Sequence, residues 1–351
     1  MLNLPLLRRQ CQRLLVWRAP ELARMASRSW TVCPAETVRI PPALTLPGAT
    51  EKIKALSPWR DWRSEKLLLE GGWIEHAACT THLLERVDVV EAFLYCGAAR
   101  DQVGYGAERW FYEGLGPRIA LDTAELATSR SGSHFFGTFL LDDMPLGLLS
   151  QGREDVIGMV KRPYEHEEGY RRLLDLPRPR EVRHAHIGRL TIHVDFAQNS
   201  HKRRRYEELR SRLRRHLTSV VACRGAGVYV RRGLSGEPRV LSNEEEVVRV
   251  LSDAGFDVLD PATLTADEIA SRSLEARIVV GVEGSHLSHA IYSMAEDGAF
   301  LVLQPPDRFA LAYKEYADRM EMRFALLVGD RASQGFSVPA SDLLRMLDRL
   351  I

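Results

Sequence analysis

Lysine is nearly absent from this chain. It occurs only at Lys52, Lys54, Lys66, Lys161, Lys202 and Lys314, so the basic total of 48 is almost all arginine. Basic clusters are therefore guanidinium clusters, suited to planar, bidentate contact with carboxylate or phosphate. The formal net charge is only +1, which excludes binding of nucleic acid by bulk charge. Cys11, Cys33, Cys79, Cys96 and Cys223 are odd in number and form no C-x-x-C pair. That argues against a disulfide framework and a zinc ribbon, and a reducing compartment, the cytoplasm, is expected. No D-x-D pair occurs, so the clustered carboxylates that hold a nucleotide diphosphate through Mg²⁺ are missing. No apolar run approaches the ~20 residues needed to span a bilayer. The turn G-V-E-G at 281–284 lacks the G-x-G-x-x-G spacing, which ranks a nicotinamide-type dehydrogenase last.

What is present describes a globular protein. At 351 residues the chain exceeds the usual span of one hydrophobic core, so two domains are expected. Apolar content of 45% and charged content of 27% are ordinary for a soluble fold. Composition and pattern divide the chain into a basic segment, 1–30, and two domains, 31–218 and 219–351. In the first segment Arg8, Arg9, Arg13, Arg18, Arg24 and Arg28 alternate with Leu6, Leu7, Leu14, Leu15, Trp17, Leu22 and Met25. A terminal helix docked on the protein or frayed from it is the preferred reading. The alternative is a basic amphipathic helix on the inner face of an anionic membrane.

Strand and helix signals alternate strictly from 227 onward. Strands are read at 227–231, 256–260, 277–281, 299–304 and 323–329. Helices are read at 242–255, 265–276, 284–294, 307–320 and 339–351. Ser242 with Glu245, and Thr265 with Glu268, have capping-box spacing. Continuously apolar strands between helices predict a doubly wound parallel sheet, whose ligands bind beyond the carboxyl ends of the strands. The first domain is less regular: strands are read around 87–96, 155–160 and 189–196, and a strongly basic helix at 201–217.

The stretch "GVEGSHLSHAIY" (281–292) follows one of those carboxyl ends. Glycines allow close backbone approach to an anion, and a helix starting at Ser285, its expected N-cap, would offer amide donors. Glu283 repels a phosphate if it points inward, and otherwise suits a hydroxyl. His286 and His289 lie three apart and lack a third ligand for a metal. They read equally as cleft hydrogen-bonding groups or as core histidines. Arg231, Arg232 and Arg239 occupy a loop after the first strand, and alternation turns Arg231 and Arg232 apart. In the first domain His134 precedes aromatic residues at a helix start, with Asp142 and Asp143 two turns on. Either His134 or Asp142 suits a general base, and the bland alternative is a helix cap with solvated acids.

In combination these motifs resemble the family-61 glycosyltransferases, including bacterial members of capsular polysaccharide synthesis. The family's I-Y-I-S-R strand, second arginine and N-E-x-E segment are matched by Val228, Tyr229, Val230, Arg231, Arg232, Arg239, Asn243, Glu244 and Glu246. Its G-F-x-[IV] strand is matched by "GFDVLDP" (255–261), and its G-x-H-G-A-G-L-T-N turn by Gly281 through His289. "SGSHFF" (131–136) echoes the aromatic N-Y-Y-H segment. Glu283 stands where the family has His, and His289 where it has Asn.

The resemblance implies two facing Rossmann-like domains, a GT-B-like α/β fold. It further implies an inverting, metal-independent transfer from a nucleotide sugar to a glycan hydroxyl, with no cofactor. It makes 31–218 the acceptor side and 219–351 the nucleotide-sugar side. Donor binding falls to Arg232, Arg239, Asn243, Gly284, Ser285, His286 and His289, and catalysis to His134, Asp142 and Glu283. The alternative is an altered relative that binds glycan or a synthesis partner without transfer.

Overall fold

The computed structural model describes residues 3–16, 20–223, 225–233 and 238–351. Trp17 and Arg18 of the basic segment, and 234–237 of the arginine loop, lie outside the described residues. The chain divides into two compact units, each discontinuous in sequence. Unit 1 comprises Met1–Ala35, Ala77–Glu167 and Asp175–Arg205; unit 2 comprises Glu36–His76, Glu168–Leu174 and Tyr206–Ile351.

Unit 2 contains a five-stranded, all-parallel sheet. Its strands are β1 (Gly227–Val230), β2 (Phe256–Leu259), β3 (Ile278–Val282), β4 (Ala299–Gln304) and β5 (Arg323–Val328). Every residue of β1, β3 and β4 is buried, because helices cover both faces. On one face Tyr229, Val280, Leu301 and Leu327 pack with Val247 and Leu251 of helix Glu244–Asp253, and with Leu343 and Met346 of helix Ala340–Leu347. On the other, Phe300 meets Tyr313 and Tyr316 of helix Ala312–Arg319. The strand order is β2-β1-β3-β4-β5, so the winding reverses between β1 and β3. In doubly wound sheets ligands bind at such a reversal, here at the carboxyl ends of these two strands.

The segment Glu36–His76 adds an antiparallel pair of strands, Glu36–Ile40 with Gly72–His76, and helix Trp62–Glu70 to this unit. Leu44 bridges to Ala325 beside β5, and Ser57 and Ala55 exchange backbone hydrogen bonds with Phe309. The Phe309 contacts, with Leu311 N–H donating to Glu65, hold 308–311 in non-helical backbone. The helix expected from 307 therefore starts only at Ala312.

Two other local expectations change. The helix expected from 284 to 294 is a six-residue 3₁₀ turn, Ser285–Ala290. Its continuation is diverted by side chains. The Ile291 carbonyl accepts from Arg210 and Tyr316, Tyr292 from Arg214, and Met294 from both arginines. The basic helix Ser200–His216 thus uses two of its guanidinium groups as carbonyl caps. The Ser242–Glu245 capping box does not form either. Asn243 is the N-cap, Ser242 Oγ donates to Phe336 O, and Glu245 pairs with Arg231. The Thr265–Glu268 box is complete.

Unit 1 is a mixed sheet, so only part of it has the parallel pairing of a Rossmann-like half. Cys79–Val90 pairs antiparallel with Arg28–Cys33, Phe93–Cys96 and His184–Val194. The parallel part runs from His184–Val194 through Ile119–Leu126 and Val156–Gly158 to Arg180–Glu181. Leu84, Val87, Ala124, Ile157 and Ile187 form its core. The basic segment is not one helix. Leu4–Leu14 is helical, Leu22–Met25 is a 3₁₀ turn, and the sheet begins at Arg28. The helix docks through Leu6, which is buried in a cluster with Val90, Phe93 and Tyr95, while Arg9 pairs with Asp88. Among the described residues no helix is long and apolar enough to cross a membrane.

Candidate active site

The crevice between β1 and β3 is built from arginines. Arg231 and Arg232 follow β1, and their side chains diverge as extended backbone requires. Arg231 turns to Glu245, 2.8 Å away, while Arg232 turns inward and donates to the Glu283 carbonyl at 3.2 Å. Arg239 Nε lies 2.7 Å from Glu283 Oε2, an ion pair that lacks hydrogen-bond alignment at both atoms. Arg308 follows β4 and Arg60 comes from the segment before helix Trp62–Glu70. Both charges act on Glu283 as well. Arg60 is itself paired with Glu65 and Glu315.

The backbone is shaped for this cluster. Glu283 N–H donates to Leu303 O, extending the β3 ladder by one residue. Gly284 then adopts φ 144° and ψ 174°, a conformation essentially restricted to glycine. A Cβ at Gly284 would lie inside the Arg232 guanidinium and 3.1 Å from Arg239 Nη1. The missing side chain is what lets both arginines close over the turn. Gly281 serves His286 likewise: a Cβ there would sit 3.2 Å from the ring Nε2 and 2.7 Å from Leu287.

Electrostatics follow from burial and like charge. Burial, then Arg239, pull the Arg232 guanidinium down to about 10, so it stays charged at neutral pH. Burial pushes the Glu283 carboxyl up, against the pull of Arg239, Arg232, Arg308 and Arg60. Burial, then Arg232, His289 and Arg239, drive His286 well below the ordinary histidine range. Its ring is neutral, 7% exposed, and has no hydrogen-bond partner at either nitrogen. A buried imidazole with both nitrogens unsatisfied is suited to a ligand or an ordered water.

Of the remaining expected residues, Gly284 and His286 share this crevice. Ser285 is the first residue of the 3₁₀ turn, not an N-cap, and Gly284 precedes it without a side-chain cap. Six residues of 3₁₀ turn supply no α-helical amide cradle, so the cationic groups here are arginines. His289 is buried elsewhere, with its Nδ1 2.8 Å from the Tyr170 hydroxyl, which also donates to the His289 carbonyl. Asn243 ties helix Glu244–Asp253 to the C-terminal segment, bonding Val338 N and O and Glu246.

His134 and Asp142 belong to unit 1. His134 Nδ1 lies 2.8 Å from the Arg130 carbonyl, and a carbonyl only accepts. Nδ1 therefore carries the proton in the neutral ring and Nε2 keeps the lone pair a base needs. Asp142 is 7% exposed and paired with the fully buried Lys202. Asp143 bonds Ser129 N–H. The sequence reading overlooked Arg308 and Arg60. The one local signal for Arg308 was its place just beyond the β4 carboxyl end, after Pro305 and Pro306; Arg60 had none.

The fold is α/β, and the guanidinium cluster at the winding reversal of its parallel sheet has the chemistry to receive an anion. The family model of glycosyltransferase 61 matches residues 81–301. The chain belongs to this glycosyltransferase family, which implies a nucleotide-sugar donor and a glycan acceptor. Among curated proteins no sequence match was found. The matched span contains Arg232, Arg239, Glu283, Gly284 and His286; Arg60 and Arg308 fall outside it.

Proposed function

We propose that this chain is an inverting glycosyltransferase that grips the diphosphate of a nucleotide sugar with arginines rather than a divalent cation. The observation that supports this most directly is the meeting of Arg232 and Arg239 over Gly284, at the crevice between β1 and β3. Each guanidinium offers forked donors to phosphate oxygens, and burial strengthens such bonds. His286 supplies further hydrogen-bonding capacity in the same place.

In the proposed reaction an acceptor hydroxyl attacks the anomeric carbon from the face opposite the diphosphate. The new C–O bond forms as the bond to phosphate oxygen breaks, and the electron pair of that bond leaves with the diphosphate. The hydroxyl proton passes to a base, which we assign to His134 on its tautomer, ahead of Asp142 with its engaged carboxylate. The arginines stabilise charge developing on the departing diphosphate. Synthesis of a surface or capsular polysaccharide is the setting we assign, on the resemblance alone.

The test is calorimetric titration with uridine, guanosine and adenosine diphosphate sugars in excess EDTA, followed by a transfer assay with product anomer read by NMR. One donor class is expected to bind, Arg232→Ala to lose that binding, and the product to have inverted configuration. Absence of binding across the panel refutes the reading. A second reading, an altered relative without transfer, draws on the Glu283 carboxylate against Arg239. It predicts donor or glycan binding with no product.

A further inference from the structure

Glu283 sits where an anionic ligand would be least tolerated, and its surroundings say what it does there. Its backbone is fixed by the Leu303 hydrogen bond on one side and the glycine turn on the other. Its side chain is 8% exposed, so the carboxylate is largely, though not wholly, withdrawn from bulk water. Oε2 faces Arg239 Nε at 2.7 Å, so the carboxylate compensates that guanidinium's charge. The other charged groups acting on it are Arg232, Arg308 and Arg60.

We infer that Glu283 is an internal counter-anion, which holds the place of a ligand phosphate against Arg239 and takes up a proton when a diphosphate arrives. This inference rests on the reading that the crevice holds a diphosphate. A second anion brought into this buried arginine cluster raises the proton affinity of the first, and the group that titrates closer to neutral pH is the one neutralised. A diphosphate diester is not that group, because its phosphates titrate far below neutral pH. The remaining titratable neighbours do not take the proton in its place. His286 is surrounded by Arg232 and Arg239, which oppose its protonation. Tyr313 already carries its proton, in a 2.7 Å bond with Ser288 Oγ.

Burial shifts the Glu283 carboxyl toward the acid, against the arginines, which favour the anion. Phosphate oxygens that engage the arginines remove the second influence. Solvent supplies the proton, the carboxylate becomes a carboxylic acid, and the new O–H is a donor for a phosphate oxygen. The same group thus changes from competitor to hydrogen-bond donor for the leaving diphosphate.

The experiment uses the full chain and the diester panel above, titrated in EDTA in two buffers of different ionisation enthalpy from pH 6 to 9. Uptake of about one proton per ligand is expected, with affinity falling up to ~tenfold per pH unit across part of that range. Glu283→Gln is expected to bind with no proton exchange and a flat pH profile. Its melting temperature reports whether it folds; the wild-type proton count stands without it. Wild-type binding with no proton exchange overturns the inference and leaves the diphosphate reading intact. So does a Glu283→Gln loss of binding beside a flat wild-type profile, which would mean the charged carboxylate accepts from a sugar hydroxyl. No binding to either protein overturns both.

Discussion

Gly284→Ala adds one methyl group, and two separate costs follow from the geometry. The residue would have to hold φ 144° and ψ 174°, a glycine-only region costing on the order of 1–3 kcal/mol for an alanine. For a domain of unit 2's size each kcal/mol lowers the melting temperature by ~2–4 °C, so a drop of about 2–12 °C is expected. The second cost falls on binding. The new Cβ occupies the space of the Arg232 guanidinium, which must leave the crevice and give up its bond to Glu283 O. A hydrogen bond to a charged group contributes ~1.5–3 kcal/mol, so removing one such donor weakens donor binding by ~10–150-fold. Differential scanning fluorimetry of both proteins, with and without the donor that binds wild type, measures both effects. An alanine variant that melts within about 1 °C of wild type and keeps the full donor-induced shift would refute the reasoning. In that case Arg232 and Gly284 do not share the space described.

Asp142→Ala strands the buried ammonium of Lys202 and should destabilise the protein by ~3–5 kcal/mol in urea unfolding, with Lys202→Met partly rescuing it. If Asp142 is structural in this way, the rescued double variant regains transfer; a stable but inactive double variant would make it the base instead. His134→Ala is expected to lower the transfer rate by ~10²–10⁴-fold without altering the melting temperature, and an unchanged rate would exclude it as base. His76 gives a pH prediction. Burial, then Arg319, lower it from 6.5 to about 4, so it is neutral when folded and charged when unfolded near pH 5. Its stabilising contribution is present above pH ~6.5 and is lost as pH falls toward 4, by up to ~3 kcal/mol. Urea midpoints at pH 7, 5.5 and 4.5 should fall together with pH in wild type and less steeply in His76→Gln. An equal slope would mean the burial of this ring is not what acid disrupts.

Much of unit 2 was legible because its signals are local. Apolar runs of strand length, separated by helix-length periodic segments, give parallel strands wherever both faces are covered. The Thr265–Glu268 box spans three residues and formed as its spacing requires. The Ser242–Glu245 box has the same spacing and failed, because Phe336 and Arg231 offered both side chains other partners. The 284–294 helix failed for a related reason: Arg210 and Arg214 reach its carbonyls from sequence positions some eighty residues away.

The sequence by itself determined the strand–helix alternation, the predominance of arginine among the basic groups and the glycine at 284, since each depends on residue identity and near neighbours. Tertiary structure alone decided which arginines converge. Arg60, Arg232, Arg239 and Arg308 are brought toward one carboxylate by strand order and by the return of Glu36–His76 to unit 2. Sheet order and chain return are long-range choices of packing, fixed by burial rather than by spacing, and no local pattern records them.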